Sequence, residues 1–468
     1  MRWVCIYLPQ LALDGVLRNL DDPLAPLVLV EGPSQRRIIR AANGAARLLG
    51  LRPGQSLAAA HLLTRDFATV EYDPAEVQRH QRFLAAWAYR YSSRVSMRFS
   101  RTLLLEVESS LNLFGPWPRF EQRLRSELTA LGFSHRLAVA PNPAAARVLC
   151  NVHDGLAVDE ESLRKVLDQM PIDRLGLPRE SVNAFQRMGL RTLHQVLSLP
   201  RAGLARRFPE PVLQHLDKLL GRRPLVLDSY APPDRFDQSI ELNYDVESIQ
   251  ALLFPLRRLT SDLGAFLAGR DCGVQRYELF LQHAEGVETE VPVGLLRAER
   301  DAALLFELAK GRLERLCLPA AVRRVRLVAG DLPKFIPEHM GLFEERPHQS
   351  IGWEQLRERL RARLGDSAVH GVCMRPDHRP EMAWLAETGA AATPQNESPR
   401  PGWLLRQPMA LEGTPRLLAG PERIESGWWD GGDVRRDYYL IETKDGRLGW
   451  AYRDVGRRGP WVLQGWFS

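Results

Sequence analysis

Val95-Ser96-Met97-Arg98-Phe99 and Thr102-Leu103-Leu104-Leu105-Glu106-Val107 stand two residues apart, separated by Ser100-Arg101. Short apolar and β-branched runs of this kind read as two successive strands. Upstream, residues 3–8 are β-branched and aromatic and stop at Pro9, which makes a first strand. A short helix is expected over 10–20, strands over 27–30 and 38–42, and a helix over 43–49 stopped by Gly50. Residues 76–94 read as a long amphipathic helix leading into the strand pair. Downstream, 120–131 reads as a helix and 135–140 as a strand, and Pro141-Asn142-Pro143 opens a helix to about Cys150. Strands alternating with helices make an α/β unit of about 150 residues.

Beyond it, turn residues recur at Gly176, Pro178, Gly189, Pro200, Pro209 and Gly221, which predicts a cluster of small helices over 159–228. Residues 225–233 read as a linker. Residues 234–331 then give a β-α-β-β-α-β order, a known two-layer module. Its strands are expected at 236–242, 274–282, 288–293 and 322–328, and its helices at 246–268 and 301–316. Residues 332–350 carry Pro333, Pro337 and Pro347 and read as an exposed segment. Residues 351–385 are mixed, with a charged helix over 353–364, and 386–402 read as a flexible linker. Residues 403–468 hold six of the eleven tryptophans and several short strands with Gly turns, so a small β-rich unit is expected.

The chain has 468 residues, enough for about three domains at roughly 150 each. With 45% hydrophobic and 26% charged residues it is not a disordered chain. No apolar run reaches the roughly 18 residues of a membrane span, and residues 1–8 do not resemble a signal peptide. The five cysteines (Cys5, Cys150, Cys272, Cys317 and Cys373) are widely spaced, so neither disulfides nor a metal site is expected. These features describe a reduced cytoplasmic protein with no membrane partner and no cofactor. The net charge is +6, and of 63 basic residues only 5 are lysine. Arginine suits phosphate contacts, although an arginine-favouring codon usage explains the same excess.

Three stretches resemble the Y-family DNA polymerases, which copy past damaged bases. Ile39-Arg40-Ala41-Ala42-Asn43 with Ala46-Arg47 and Gly50-Leu51-Arg52-Pro53-Gly54-Gln55 is similar to the fingers segment (about 20–70). Leu105-Glu106-Val107-Glu108-Ser109-Ser110 with Leu113-Phe114-Gly115 looks like a palm strand and its turn. Val139-Ala140-Pro141-Asn142 with Ala146-Arg147 resembles the helix that opens with Pro-Asn-Lys. Residues 172–193 look like the thumb's helix-hairpin-helix, and the β-α-β-β-α-β module falls where the family has its little finger. The resemblance, over about residues 1–330, implies an α+β multidomain right hand with palm and fingers at 1–158.

The departures matter most. Phosphoryl transfer by a polymerase needs two divalent metals held by clustered carboxylates. By the resemblance, the first carboxylate position falls at Tyr7 and the following pair at Arg101 and Thr102. A tyrosine is a poor magnesium ligand, and an arginine repels the cation. Pro143 stands for the triphosphate-binding Lys, Gly44 for the aromatic after the fingers Asn, and Ala12 near the residue that excludes the 2′-hydroxyl. Asp14 lies about two helical turns past the first strand. Glu106 and Glu108 share a strand face by the period of two and can pair around a metal; a solvated or salt-bridged face is the plainer reading. No catalytic residue is assigned.

A palm without carboxylates, with a long tail containing Asp437-Tyr438-Tyr439 and Gly465-Trp466-Phe467, is similar to the ImuB family. That resemblance implies a non-catalytic scaffold in damage-induced mutagenesis, part of the SOS response. Its implied partners are the DNA polymerase sliding clamp, an ImuA-type RecA-like protein, an error-prone C-family DNA polymerase, and damaged or primer-template DNA. His339, Met340, Leu342 and Phe343 resemble a clamp-binding peptide, with His339 in place of Gln; a hydrophobic plug on the little finger is the alternative. Arg179, Arg187, Arg191, Arg206 and Arg207 are the expected DNA contacts, although Pro178 removes one N–H from the hairpin's phosphate nest. Arg270 and Arg276 are weaker candidates in the little finger, as are Arg435, Arg436, Arg457 and Arg458 in the tail. Trp428, Trp429 and Trp466 are candidate partner contacts, while most tail tryptophans are expected in the core. The competing readings are an active low-fidelity polymerase and a DNA-binding protein without clamp contact.

Overall fold

The first strand, β1 (Trp3–Tyr7), leads into α1 (Leu11–Leu17). A fingers-like excursion follows: β2 (Leu27–Glu31), β3 (Ile38–Ala42), α2 (Gly44–Leu48), α3 (Leu57–Leu63) and β4 (Ala68–Glu71). The chain returns through α4 (Pro74–Ala88), β5 (Val95–Ser96), β6 (Thr102–Glu106), α5 (Leu111–Phe114), α6 (Trp117–Ala130), β7 (Arg136–Ala140), α7 (Pro143–Val152) and β8 (Leu156–Ala157). The computed structural model describes residues 1–20, 22–284, 286–336, 353–365, 368–385, 399–456 and 459–467. They fall into two units, Met1–Arg363 and Leu364–Ser468.

The palm sheet has the order β5-β6-β1-β7-β8, with β1 antiparallel to both β6 and β7. β1 is covered on both faces, which is why it reads as a continuous apolar run. Period-two alternation sends Val4 and Ile6 into one core with Phe83, Trp87, Phe120 and Leu124 of α4 and α6. Cys5 faces a second core with α7 and the helices that follow it. The fingers form a separate sheet, β3-β2-β4. The sequence reading runs palm and fingers together and lacks α3 and β4. The available signal for α3 is Ser56, whose side chain caps Ala59 N–H at 3.2 Å.

Several expected elements are shorter than the sequence suggests, two of them for reasons visible in the packing. The helix expected over 76–94 runs from Pro74 to Ala88. Asp73 caps its start, and beyond its end Tyr91 turns inward among Trp87, Phe114 and Phe120. The strand expected over 95–99 pairs only at Val95 and Ser96, because the Ser96 hydroxyl accepts from Arg98 N–H at 3.4 Å and the chain turns away.

The thumb is the cluster of small helices expected: α8 (Glu160–Asp168), α9 (Arg179–Arg187), α10 (Leu193–Leu197), α11 (Arg201–Arg207) and α12 (Glu210–Leu219). They share the second palm core through Leu167, Phe185, Phe208 and Leu216. The little finger comprises β9 (Phe236–Val246), α13 (Ile249–Arg270), β10 (Val274–His283), β11 (Glu288–Glu299), α14 (Ala302–Leu313) and β12 (Val322–Ala329). Its antiparallel sheet has the order β11-β10-β12-β9. The helix α15 (Trp353–Leu364) spans the residues expected.

The little finger is fastened to the palm. A Cβ on Gly269 of α13 would lie 2.1 Å from the Ala86 carbonyl of α4, so the two helices approach at backbone distance. Arg18, beyond α1, forms a buried ion pair with Asp262 of α13. Arg258 of the same helix donates to the carbonyls of Arg18 (3.2 Å) and Leu131 (3.3 Å). Nothing in the sequence pattern announces this seam.

The second unit, Leu364–Ser468, holds the β strands expected over 403–468 but begins earlier, within the segment expected to be mixed and helical. A two-stranded ladder of β13 (Cys373–Met374) and β14 (Trp384–Leu385) precedes a five-stranded sheet. Its strands are β15 (Trp403–Leu411), β16 (Arg416–Ser426), β17 (Val434–Glu442), β18 (Leu448–Asp454) and β19 (Trp461–Trp466), in the order β15-β19-β18-β17-β16. The whole is an α+β multidomain chain: palm-, fingers-, thumb- and little-finger-like parts followed by a C-terminal extension.

Candidate functional site

The register of β1 with β6 pairs Tyr7 with Thr102, so these two residues come together at one end of the palm sheet, beside Arg101. Arg101 adopts a left-handed backbone with φ 56°, unusual for a residue with a side chain. Its guanidinium lies 5.8 Å from the Tyr7 ring centroid and donates to the Pro9 carbonyl at 3.3 Å. The Thr102 hydroxyl donates to the Ser100 carbonyl at 3.2 Å. Gln81 of α4 fixes the turn: its amide donates to the carbonyls of Phe99 (2.8 Å) and Thr102 (3.0 Å), and its oxygen accepts from Arg101 N–H (3.3 Å). Sequence reasoning misses Gln81, because its partners are backbone groups about twenty residues away. A phenol, a guanidinium and an occupied hydroxyl do not fit a divalent cation, which takes anionic and carbonyl oxygens.

The alternative carboxylates lie elsewhere. Thr102 and Glu106 occupy opposite ends of β6, and Glu106 pairs with Trp3 instead of Tyr7. Glu106 is buried and accepts the Glu108 N–H at 3.0 Å. Glu108 lies past the strand end and faces Arg2 at 3.7 Å, so the two do not share a strand face. Asp14 is buried and accepts from Ser134 N–H (2.8 Å) and hydroxyl (3.2 Å). Burial pushes its carboxyl up to about 6. Among the described residues, no group of three or more His, Cys, Asp or Glu side chains can hold a metal.

The other matched motifs serve local structure. Asn43 caps α2: its side-chain oxygen accepts from Ala46 and Leu27 N–H, and its amide donates to the Ala25 carbonyl. Gly44 opens that helix, and Ala12 lies half-buried on α1. Asn142 caps α7 and donates to the Leu219 carbonyl of α12 at 3.2 Å, which ties palm to thumb. Pro143 is the buried first residue of α7.

Arg179, Arg187, Arg191, Arg206 and Arg207 are all exposed on the thumb. Arg187 and Arg191 line one open groove with Glu180, Asn183 and Gln186; the other three lie outside it. Gly176 has φ 77° and Pro178 caps α9. In the little finger, Arg270 is engaged with the linker: it donates to the Pro232 carbonyl at 2.7 Å and pairs with Asp234 at 2.8 Å. Arg276 faces Glu278 at 3.5 Å. Arg323, Arg324 and Arg326 of β12 each face a carboxylate of β9, namely Asp245, Glu241 and Asp237.

His339, Met340, Leu342 and Phe343 lie outside the described residues, as do Arg457 and Arg458. Trp428 and Trp429 are exposed at the turn after β16, in edge contact at 5.5 Å. Trp466 is half-buried beside the core of Ile441, Trp461 and Leu463. Of the six tail tryptophans only Trp450 and Trp461 are buried, so the expectation that most sit in the core fails; Trp403 is 71% exposed. The tail motifs have packing roles: Tyr438 stacks on Trp450 at 4.0 Å, and Asp437 pairs with Arg423 at 2.7 Å. A Cβ on Gly465 would lie 2.6 Å from the Trp403 carbonyl. Arg435 and Arg436 pair with Asp433 (3.6 Å) and Glu381 (2.9 Å), the charged-surface alternative to DNA contact.

A sequence model of the impB/mucB/samB family matches residues 18–151. The chain is similar to Protein ImuB of Caulobacter vibrioides (strain NA1000 / CB15N), 27% identical over 467 residues, with 90% of this chain and all of that protein covered. It is also similar to DNA polymerase IV of Desulfatibacillum aliphaticivorans, 26% identical over 196 residues, which cover 40% of this chain and 50% of that protein. Among solved structures, DinB from Sulfolobus solfataricus aligns with a TM-score of 0.41 and 15% identity, covering 72% of this chain and 100% of that one. An insertion ternary complex of Dbh DNA polymerase aligns with a TM-score of 0.43 and 15% identity, covering 71% and 99%. In sequence the chain is similar to an ImuB protein along most of its length and, over residues 18–151, to the impB/mucB/samB family.

Proposed function

We propose that this chain is a non-catalytic scaffold in damage-induced translesion DNA synthesis. The observation that carries the reading is the end of the palm sheet, where Tyr7, Arg101 and Thr102 meet; the resemblance puts a polymerase's metal-binding carboxylates at these positions. A cation there leaves nowhere for magnesium, so synthesis falls to a partner. In this reading the body binds primer-template DNA through the exposed thumb arginines. The segment with His339, Met340, Leu342 and Phe343 docks on the sliding clamp. The tail, with Trp428, Trp429 and Trp466, receives an ImuA-type RecA-like protein and an error-prone C-family polymerase. The setting is cytoplasmic; among the described residues no helix is long and apolar enough to cross a membrane.

The test is binding of the purified chain to the sliding clamp of its own organism, wild type against a Leu342→Ala/Phe343→Ala variant. Each side chain supplies roughly 1.5–3 kcal/mol when buried on a partner. The variant is therefore expected to bind at least about a hundredfold more weakly. Equal binding by both moves the docking point elsewhere, and binding by neither removes the clamp from the reading. Magnesium-dependent primer extension by the purified chain would overturn the non-catalytic part.

A further inference from the structure

A cavity of about 230 Å³ lies where the palm meets the thumb. Arg98 and Phe99, from the turn between β5 and β6, form one wall, and Ala144 and Arg147 of α7 another. Gly176, His215 and Lys218 of the thumb and Leu225 close it. Three of these residues are permanent cations at neutral pH, a fourth is a histidine, and none is acidic.

Arg147 is the centre of the site. Its guanidinium lies over Phe99, 3.7 Å from the ring centroid, and an ideal Cβ on Gly176 would be 3.6 Å from its Nη1. Burial pulls it below its ordinary range, offset only in part by the neighbouring Cys5 thiol and by no carboxylate among the described residues. Arg147, His215 and Lys218 line the same cavity, and burial, then the charges of Arg147 and Lys218, push the His215 ring toward its neutral form. His215 Nε2 is 2.7 Å from the Leu175 carbonyl and donates to it, which fixes the ring. Arg98 is held at the rim by its bond to the Val226 carbonyl at 3.2 Å.

A desolvated guanidinium without a counter-charge is costly, and a fixed array of like charges around a small cavity raises the cost further. Such an array is stabilised by an anion with several acceptor oxygens. The cavity is smaller than the roughly 300–1,000 Å³ of ordinary small-molecule pockets, so it holds a single phosphoryl group with water and leaves any attached nucleoside outside. We propose that Arg98, Arg147 and Lys218 form a phosphoryl-binding site at the palm–thumb junction. It is separate from the groove of Arg187 and Arg191 and does not depend on clamp recruitment.

Isothermal titration of the full chain tests this with three probes: inorganic phosphate, a deoxynucleoside 5′-monophosphate, and a short DNA strand with or without a 5′-phosphate. Saturable binding is expected that weakens at least tenfold in both Lys218→Met and Arg147→Gln, and is unchanged in Arg323→Gln, whose charge is already paired with Asp245. Lys218→Met keeps the test informative if removing the Arg147 guanidinium from Phe99 unfolds the chain. Inorganic phosphate or monophosphate binding assigns the site to a free ligand. Binding confined to the 5′-phosphorylated strand, and weakened by the same variants, assigns it to a DNA terminus. No saturable binding of any probe, or binding that Lys218→Met leaves unchanged, overturns the proposal. The clamp is absent from this assay, so its outcome stands apart from that of the scaffold reading.

Discussion

Asp14 shows how a single side chain can mislead a search for metal ligands. It is the acidic residue nearest the first strand, yet it serves Ser134 inside the protein. With its carboxyl raised from 3.8 to about 6, the folded state holds the proton more tightly than the unfolded chain does. Its contribution to stability is therefore complete below about pH 4 and lost as pH rises through 6, at up to about 3 kcal/mol. Asp14→Asn keeps an oxygen for the Ser134 N–H and carries no charge. Urea unfolding at pH 7.5 is expected to find the variant more stable by about 1–3 kcal/mol, with the difference vanishing near pH 4. His80 acts in the opposite sense: burial and the nearby Arg18 lower it to about 3, so it favours the folded state above its unfolded value near 6.5 and disfavours it in acid. Tyr7, Arg101 and Thr102 are singled out by the resemblance to the polymerase family, not by any period in the sequence, and the pairing of β1 with β6 sets Tyr7 beside Thr102. Gln81 and the role of Asp14 are not legible, because a hydrogen bond to distant backbone leaves no period in a sequence.

At the scale of elements, two glycines in helices make a contrast. Glycine costs a helix roughly 0.5–1 kcal/mol relative to alanine. In α11, a Cβ on Gly203 meets nothing within 4 Å, so Gly203→Ala is expected to stabilise by that amount. In α13, the same change at Gly269 places a methyl 2.1 Å from a backbone carbonyl, which overpacking makes about 1–3 kcal/mol worse. Chemical denaturation of both variants should therefore give shifts of opposite sign. Equal shifts would mean that α13 does not rest on α4. The helix and strand types are readable from hydrophobic period and caps, such as Asn43 before α2 and Asn142 before α7. Ends are less readable wherever a tertiary contact sets them, as Tyr91 does beyond α4. The short β4 carries little apolar pattern, since its pairing with β2 supplies its order.

Across the whole molecule, basic residues divide into matched and unmatched sets. Those of β12 face carboxylates of β9, whereas the thumb's Arg187 and Arg191 line an open groove. If the thumb holds DNA, Arg187→Gln/Arg191→Gln weakens binding across all sequences. The double variant also flattens the plot of log K against log salt by about 1 for each phosphate that is no longer neutralised. Fluorescence anisotropy over a salt series measures both effects. An Arg323→Gln variant, whose charge is already balanced by Asp245, is expected to change the slope less.

The seam between palm and little finger also sets a clock on biosynthesis. Arg18 and its partner Asp262 are 244 residues apart, an interval of roughly 12–49 s at about 5–20 residues per second on the ribosome. All five palm strands have been made by Ala157, so the sheet can assemble long before α13 exists to cover α4. During that wait the nascent chain carries a face of α4 that only its own later residues can cover. A message cut short before codon 262 yields a polypeptide with a formed sheet and an open flank, a natural client for chaperones and proteases.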